Sequence, residues 1–352
     1  MRFNAKLLGA IATTTALVST SAFAAVQPAA AQATPVPRVV ISDWSGMGGV
    51  ARATCPSGTG LVGGGVQGEL VANTVDQVTD GLEANAPDET IPNTWKTQEK
   101  KGRSRAVALC APDAPVPLVV ASDWSAPAEV ARANCPPGTA LVGGGQDARL
   151  VSTLVGTVND DVEANAPNVD NAQQWTVQLK KGQARAFALC LADAPVPTIV
   201  ASAWSNQAET AYARCPDGTG LVGGGQDARL VTSLAGNMTD AVEENAPDQY
   251  IPNTWKVNLA KGQARAFALC VAGAPVPTVA VSPMGAARQL VKATCPAGTA
   301  LIGGGFDTLL HKNGFDVVTD AVETSAPSPD EPNTWMAKAY RDNAQAYAMC
   351  TP

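Results

Sequence analysis

The chain of 352 residues holds one histidine, His311, and spends only 16% of its length on charged side chains and 5% on aromatic ones. One imidazole cannot act as the base at several equivalent sites, so a repeated Ser–His or Cys–His nucleophile is excluded. No two cysteines lie two to four residues apart, and with the lone His this excludes zinc ligation of the usual spacing. No metal and no cofactor is expected. A basic stripe is missing too. The 31 acidic residues outnumber the 24 basic ones for a net charge of −7, so nucleic acid, held largely by Lys and Arg on phosphates, is not expected as a partner. After the leader no apolar run approaches the ~20 residues that span a bilayer, and no membrane insertion is expected.

The leader is residues 1–24. Arg2 and Lys6 precede an apolar run from Leu7 to Val18 and the small-residue pattern Ala22-Phe23-Ala24, which reads as a secretory signal peptide. A membrane anchor is the alternative, weakened by Thr13, Thr14 and Thr15 within the run. Residues 25–34 (AVQPAAAQAT) are small and uncharged and suit a disordered lead-in. A secreted or extracellular protein, loosely associated with the cell surface, is therefore expected.

What the chain does have is a repeat. CPSGTGLVGGG at Cys55 returns as CPPGTALVGGG at Cys135, CPDGTGLVGGG at Cys215 and CPAGTALIGGG at Cys295. Such self-similarity is the first fact about a fold. The units are residues 35–114, 115–194, 195–274 and a divergent 275–352; each opens with Pro-Val-Pro and closes near a Cys. All eight cysteines fall on two positions of the repeat, and in an exported chain an even count implies disulfides. If each unit folds by itself, the pairs are Cys55 with Cys110, Cys135 with Cys190, Cys215 with Cys270 and Cys295 with Cys350. Each would stabilise its unit by roughly 4 kcal/mol on a chain-entropy view.

Within a unit the apolar period is two. Trp175, Val177 and Leu179 face one way while Thr176, Gln178 and Lys180 face the other, the pattern of a half-buried strand. Six strands per unit are expected, near Val39–Trp44, ending at Cys55, over Gly60–Gly65, near Thr79–Ala86, after Trp95 and into Cys110. Pro56 and Gly58 suit the second and fourth positions of a turn. The fold class expected is all-β: four tandem, small, disulfide-closed β-sandwich or barrel-like repeats of 80 residues. Linkers such as APDAPVP read as semi-rigid spacers, giving beads in a row. Packing around a common axis is the alternative.

Three sets of residues are candidates for chemistry. Gly63, Gly64 and Gly65 invite comparison with a phosphate loop, yet no GK[ST] follows, and a bulge or a close approach of another backbone is the plainer reading. The carboxylates Asp80, Asp160, Asp240 and Asp320, with Glu83, Glu163, Glu243 and Glu323, recur in every unit. On an extended strand each Asp and its Glu diverge, so the structural reading has the Asp accepting backbone N–H bonds and the Glu pairing with Arg105, Arg185 or Arg265. Gln345 replaces that Arg in the fourth unit. Finally Trp44, Trp124 and Trp204 sit in SDWS, SDWS and SAWS, with Met284 in the fourth unit. They are read either as ligand platforms beside Asp43 and Asp123 or as lids on small cores. Trp95, Trp175, Trp255 and Trp335 are read as core.

The pattern Cys-Pro-x-Gly, triple Gly, Trp and closing Cys resembles repeats of secreted actinobacterial proteins, a family of unassigned function. The resemblance implies export, disulfides and a β-rich module, and no ligand. A slighter likeness, through the Cys-Pro-x-Gly turn and terminal Cys, links the unit to the β-prism proteins of the vitelline membrane outer layer. The expected function is a non-enzymatic, multivalent binding or adhesion protein whose extracellular ligand is a polysaccharide or a surface protein. A passive coat protein and a hydrolase using the repeated Asp and Glu are the alternatives.

Overall fold

The computed structural model describes residues 35–352, and the expected signal peptide and lead-in lie outside the described residues. In the first unit the strands are β1 (Arg38–Ile41), β2 (Val50–Thr54), β3 (Thr59–Glu69), β4 (Leu82–Pro87), β5 (Thr94–Glu99) and β6 (Arg103–Pro112). Alternation dictates the buried side: β2 hides Ala51 and Ala53 and leaves Val50, Arg52 and Thr54 exposed. The other three units repeat this order. Among the described residues no helix is long and apolar enough to cross a membrane.

Each unit is a two-layer sandwich. β1, β6 and β3 pair antiparallel in one layer and β2, β5 and β4 in the other. The disulfides found are Cys55–Cys110, Cys135–Cys190, Cys215–Cys270 and Cys295–Cys350. Cys55 follows β2 and Cys110 lies in β6, so each bridge clamps one layer to the other. The cysteines and small side chains such as Ala106 and Ala108 fill the space between layers. Four native disulfides place folding in an oxidising compartment.

The units close into a propeller-like ring rather than a row. β4 pairs with Thr139–Arg149 of the second unit, Ala84 opposite Asp147 and Asn85 opposite Gln146. The same pairing recurs at the next two seams. At the last, Val322–Pro327 of the fourth unit pairs with β3, Thr324 opposite Gln67 and Ser325 opposite Val66. Among the described residues every blade is thus a six-stranded sheet drawn from two neighbouring units, with only the short β1- and β2-type strands left as edges, which blunts edge-to-edge aggregation. A second tier of contacts follows the same circle. Val158 N–H donates to Thr79 O at 3.1 Å, Val318 N–H to Thr239 O at 3.2 Å and Val78 N–H to Thr319 O at 3.0 Å.

Two local expectations are corrected. The corner after Cys55 closes one residue later than the sequence suggests: Thr59 N–H donates to Pro56 O at 3.2 Å, putting Pro56 first and Gly58 third, where its φ of +78° suits a glycine. The linkers are not spacers. Asp113 N–H donates to Gly58 O at 3.0 Å, and a Cβ on Gly60 would lie 2.3 Å from Pro115 O, so the linker is folded against its unit.

The triple glycine now has a cause residue by residue. A register shift between Leu61 and Gly63 makes Val62 a bulge. A Cβ on Gly64 would stand 2.5 Å from the Trp95 ring, and one on Gly65 would stand 2.1 Å from Ser325 O of the fourth unit. Gly64 therefore seats the indole, and Gly65 lets the neighbouring unit pair.

Candidate binding sites

The repeated carboxylates are spent on the fold. Asp80 accepts four backbone N–H groups, from Val71 (3.2 Å), Gly81 (2.9 Å), Lys101 (2.8 Å) and Gly102 (2.6 Å). Asp160, Asp240 and Asp320 repeat the set. Burial raises the carboxyls of Asp160, Asp240 and Asp320, and the backbone donors pull against it. Each Asp pins the loop between its β5- and β6-type strands.

The expected Glu–Arg pairs are not formed. Glu83 pairs with Lys100 at 2.9 Å, Glu163 with Lys180 at 2.8 Å and Glu323 with Lys338 at 2.5 Å. Glu83 also accepts Leu150 N–H of the next unit at 3.2 Å, which makes it a seam residue. Glu243 is raised by burial, with Lys312 and the Leu310 N–H lowering it. The arginines instead fasten the chain after the opening strand: Arg105 Nε donates to Ser42 O (2.9 Å), Arg185 Nε to Ser122 O (2.8 Å) and Arg265 Nε to Ser202 O (3.0 Å). Gln345 Nε2 donates to Ser282 O at 2.7 Å, so the substitution in the fourth unit keeps the bond. Seriation by side-chain charge pointed to the wrong partner because the carbonyl competitor is invisible in sequence.

The outer tryptophans are half-buried, and each lies beneath a guanidinium. Arg149 stacks 4.1 Å from the Trp124 centroid and Arg229 4.1 Å from that of Trp204, a geometry favoured by the ring quadrupole. The Arg is held from across the sheet, Arg149 Nη1 donating to Gln183 Oε1 at 3.2 Å and Arg229 Nη1 to Gln263 Oε1 at 3.1 Å. The first unit swaps the two roles: Glu69 occupies the Arg149 position and pairs with Arg103, which lies 5.6 Å from the Trp44 centroid, as does Arg105. Asp43 and Asp123 are exposed beside their rings. In the fourth unit the exposed pair Met284 and Leu309 stands in for Trp and Arg. In the second and third units the indole is thus paired with the Arg of the recurring Asp-Ala-Arg-Leu stretch, a partner that sequence reading passed over.

Two further features went unread. The hairpin tips after β3 present Val75, Leu154, Leu234 and Phe315 to solvent. Trp95, Trp175, Trp255 and Trp335 are buried as expected and belong to the unit cores, yet they also line a cavity of about 160 Å³ to which all four units contribute equivalent residues. Among the described residues no group of three or more His, Cys, Asp or Glu side chains is arranged to hold a metal ion.

No protein-family model and no curated protein matches this chain.

Proposed function

We propose that the chain is a secreted, non-enzymatic, multivalent binding protein of the cell exterior, gripping a polysaccharide through its outer Trp–Arg sites. The observation that carries this reading is that one composite site is built twice, as Trp124–Arg149–Gln183 and Trp204–Arg229–Gln263, with a role-swapped version at Trp44. A guanidinium stacked on an indole is pre-organised, and it carries more N–H donors than its one bond to Gln uses. The remaining donors suit sugar hydroxyls or uronic carboxylates. The indole edge offers apolar surface to a sugar ring, and the exposed Asp123 adds an acceptor. The hydrolase reading loses its acid pair, because each repeated Asp carboxylate already accepts backbone donors.

A rigid ring fixes the spacing of its sites. A polymer presenting groups at that spacing gains avidity of ~10²- to 10⁴-fold over one site. The test is retention of the full chain on purified cell-wall polysaccharide, native against Trp124→Ala, Trp204→Ala and the double variant. Partial loss in each single variant and near-complete loss in the double one is expected. Undiminished retention of a folded double variant would move the assignment to a passive coat protein.

A further inference from the structure

Gly64 and Gly65 are required by what packs on them, but Gly63 is not. None of Gly63, Gly143, Gly223 and Gly303 has a positive φ, so the backbone admits any L residue there. A Cβ on Gly63 or Gly223 would meet nothing within 4 Å, and one on Gly143 only Leu189 Cδ2 at 4.0 Å. At Gly303 the nearest atom is the flexible end of Met349, at 3.3 Å. A glycine inside a strand weakens it, so the local economy of the strand runs against the residue found four times. The open space beside these positions is the shared cavity, about 160 Å³ in volume. Since the same positions of all four units line it, it lies on the pseudo-fourfold axis.

The side chains that line this cavity are all apolar or aromatic. Beyond the glycines, the walls are Trp rings, the bulged Val62 and its counterparts, and Leu109, Leu189, Leu269 and Met349. The indole N–H groups, which could have made the cavity polar, donate elsewhere: Trp95 to Asn85 at 2.8 Å, Trp175 to Asn165 and Trp255 to Asn245 at 2.7 Å, and Trp335 to Ser325 Oγ at 3.3 Å. Among the described residues no charged side chain lines it.

We propose that the axial cavity is a binding site for a small, uncharged, apolar molecule of about the size of one six-membered ring, and that Gly63 and its equivalents keep that space clear. Apolar cavities of about 150 Å³ take up benzene or xenon; this one is partly open to solvent, so a ligand has a path of entry and displaces water there, and four aromatic walls add edge and face contacts that aliphatic walls lack. The site is independent of the outer Trp–Arg sites.

Benzene and xenon are the probes. Saturating benzene is expected to raise the melting temperature of the full chain and perturb its tryptophan fluorescence, and crystals under xenon are expected to show density on the axis. Gly143→Leu places an isobutyl group in the cavity and is expected to abolish both effects while polysaccharide retention is unchanged. Should that variant fail to fold, the double variant Gly63→Ala and Gly223→Ala adds two methyls and is expected to weaken benzene binding about tenfold or more. No benzene response and no axial xenon in the native protein would overturn the proposal, as would full benzene affinity in a folded cavity-filling variant.

Discussion

Gly144→Ala is expected to destabilise the protein by about 3 kcal/mol or more, at the upper end of overpacking costs, whereas Gly143→Ala, one residue away, is expected to stay within about 1 kcal/mol of the native chain. The new Cβ at 144 would lie 2.3 Å from Trp175 Cδ2 and 2.5 Å from Phe187 O. Neither can yield cheaply. The indole is 6% exposed and tied to Asn165, and the carbonyl belongs to a strand paired on both sides. At 143 the methyl enters open space, and the entropy lost by the unfolded chain offsets what little contact is disturbed. Urea unfolding followed by tryptophan fluorescence separates the two. Equal losses for both variants would mean that the triple glycine is needed for its backbone, and the assignment of separate roles to Gly143 and Gly144 would fail.

That pair of neighbours also marks what a sequence can and cannot disclose. The repeat, the period-two burial of Trp175, Val177 and Leu179 and the cysteine pairing were all legible, because each depends on contacts within a single unit. Ring closure was not legible. It rests on two-residue pairings such as Thr324 with Gln67, between positions remote in sequence and unremarkable in type. Gly65 carried the signal, since only a close approach explains it, but nothing in the sequence says whether the approaching backbone comes from the same unit or the next. The Asp and Glu repeats illustrate the same limit. Asp80 was readable as a backbone acceptor, while the choice of Lys100 over Arg105 for Glu83 turned on a competing carbonyl at Ser42. The outer sites were half legible: the tryptophans stood out as rare residues, and their arginines did not.

The divergence between units predicts its own pH dependence through Glu99. Units two and three place Leu179 and Leu259 at this position, both fully buried, and the first unit places a carboxyl that is 1% exposed with Oε2 lacking any hydrogen-bond partner among the described residues. Burial first, then the charges of Asp80, Glu323 and Glu83, push Glu99 well above the usual carboxylate range. Other half-buried acids near the seams behave alike: burial raises Asp161 and Asp307 to about 7 and Asp227 to about 6. A carboxyl whose folded pKa is raised holds its proton more tightly in the folded chain than in the unfolded one. Its contribution is complete below the unfolded value near 4 and is lost as pH climbs through the folded value. Burial raises Asp88, but the hydrogen bonds it accepts from Thr90, Arg52 and Ile91 together outweigh burial and lower it to about 2; it acts in the opposite sense, and only below the unfolded value. The protein is therefore expected to melt highest near pH 4 to 5 and to lose stability steadily towards pH 8. Glu99→Leu removes the most deeply buried of these acids and replaces it with the side chain that the sister units already accommodate. It is expected to stabilise the ring at pH 8 by roughly 1–3 kcal/mol, the cost of a buried polar group without a partner, and to gain less at pH 4, where the carboxyl is protonated in the folded state and mostly protonated in the unfolded one. Melting curves of native and variant chains across that range decide the matter. A stability gain independent of pH would reduce Glu99 to a packing defect, and a loss at pH 8 would show that its carboxyl holds a partner at the seam between the first and fourth units.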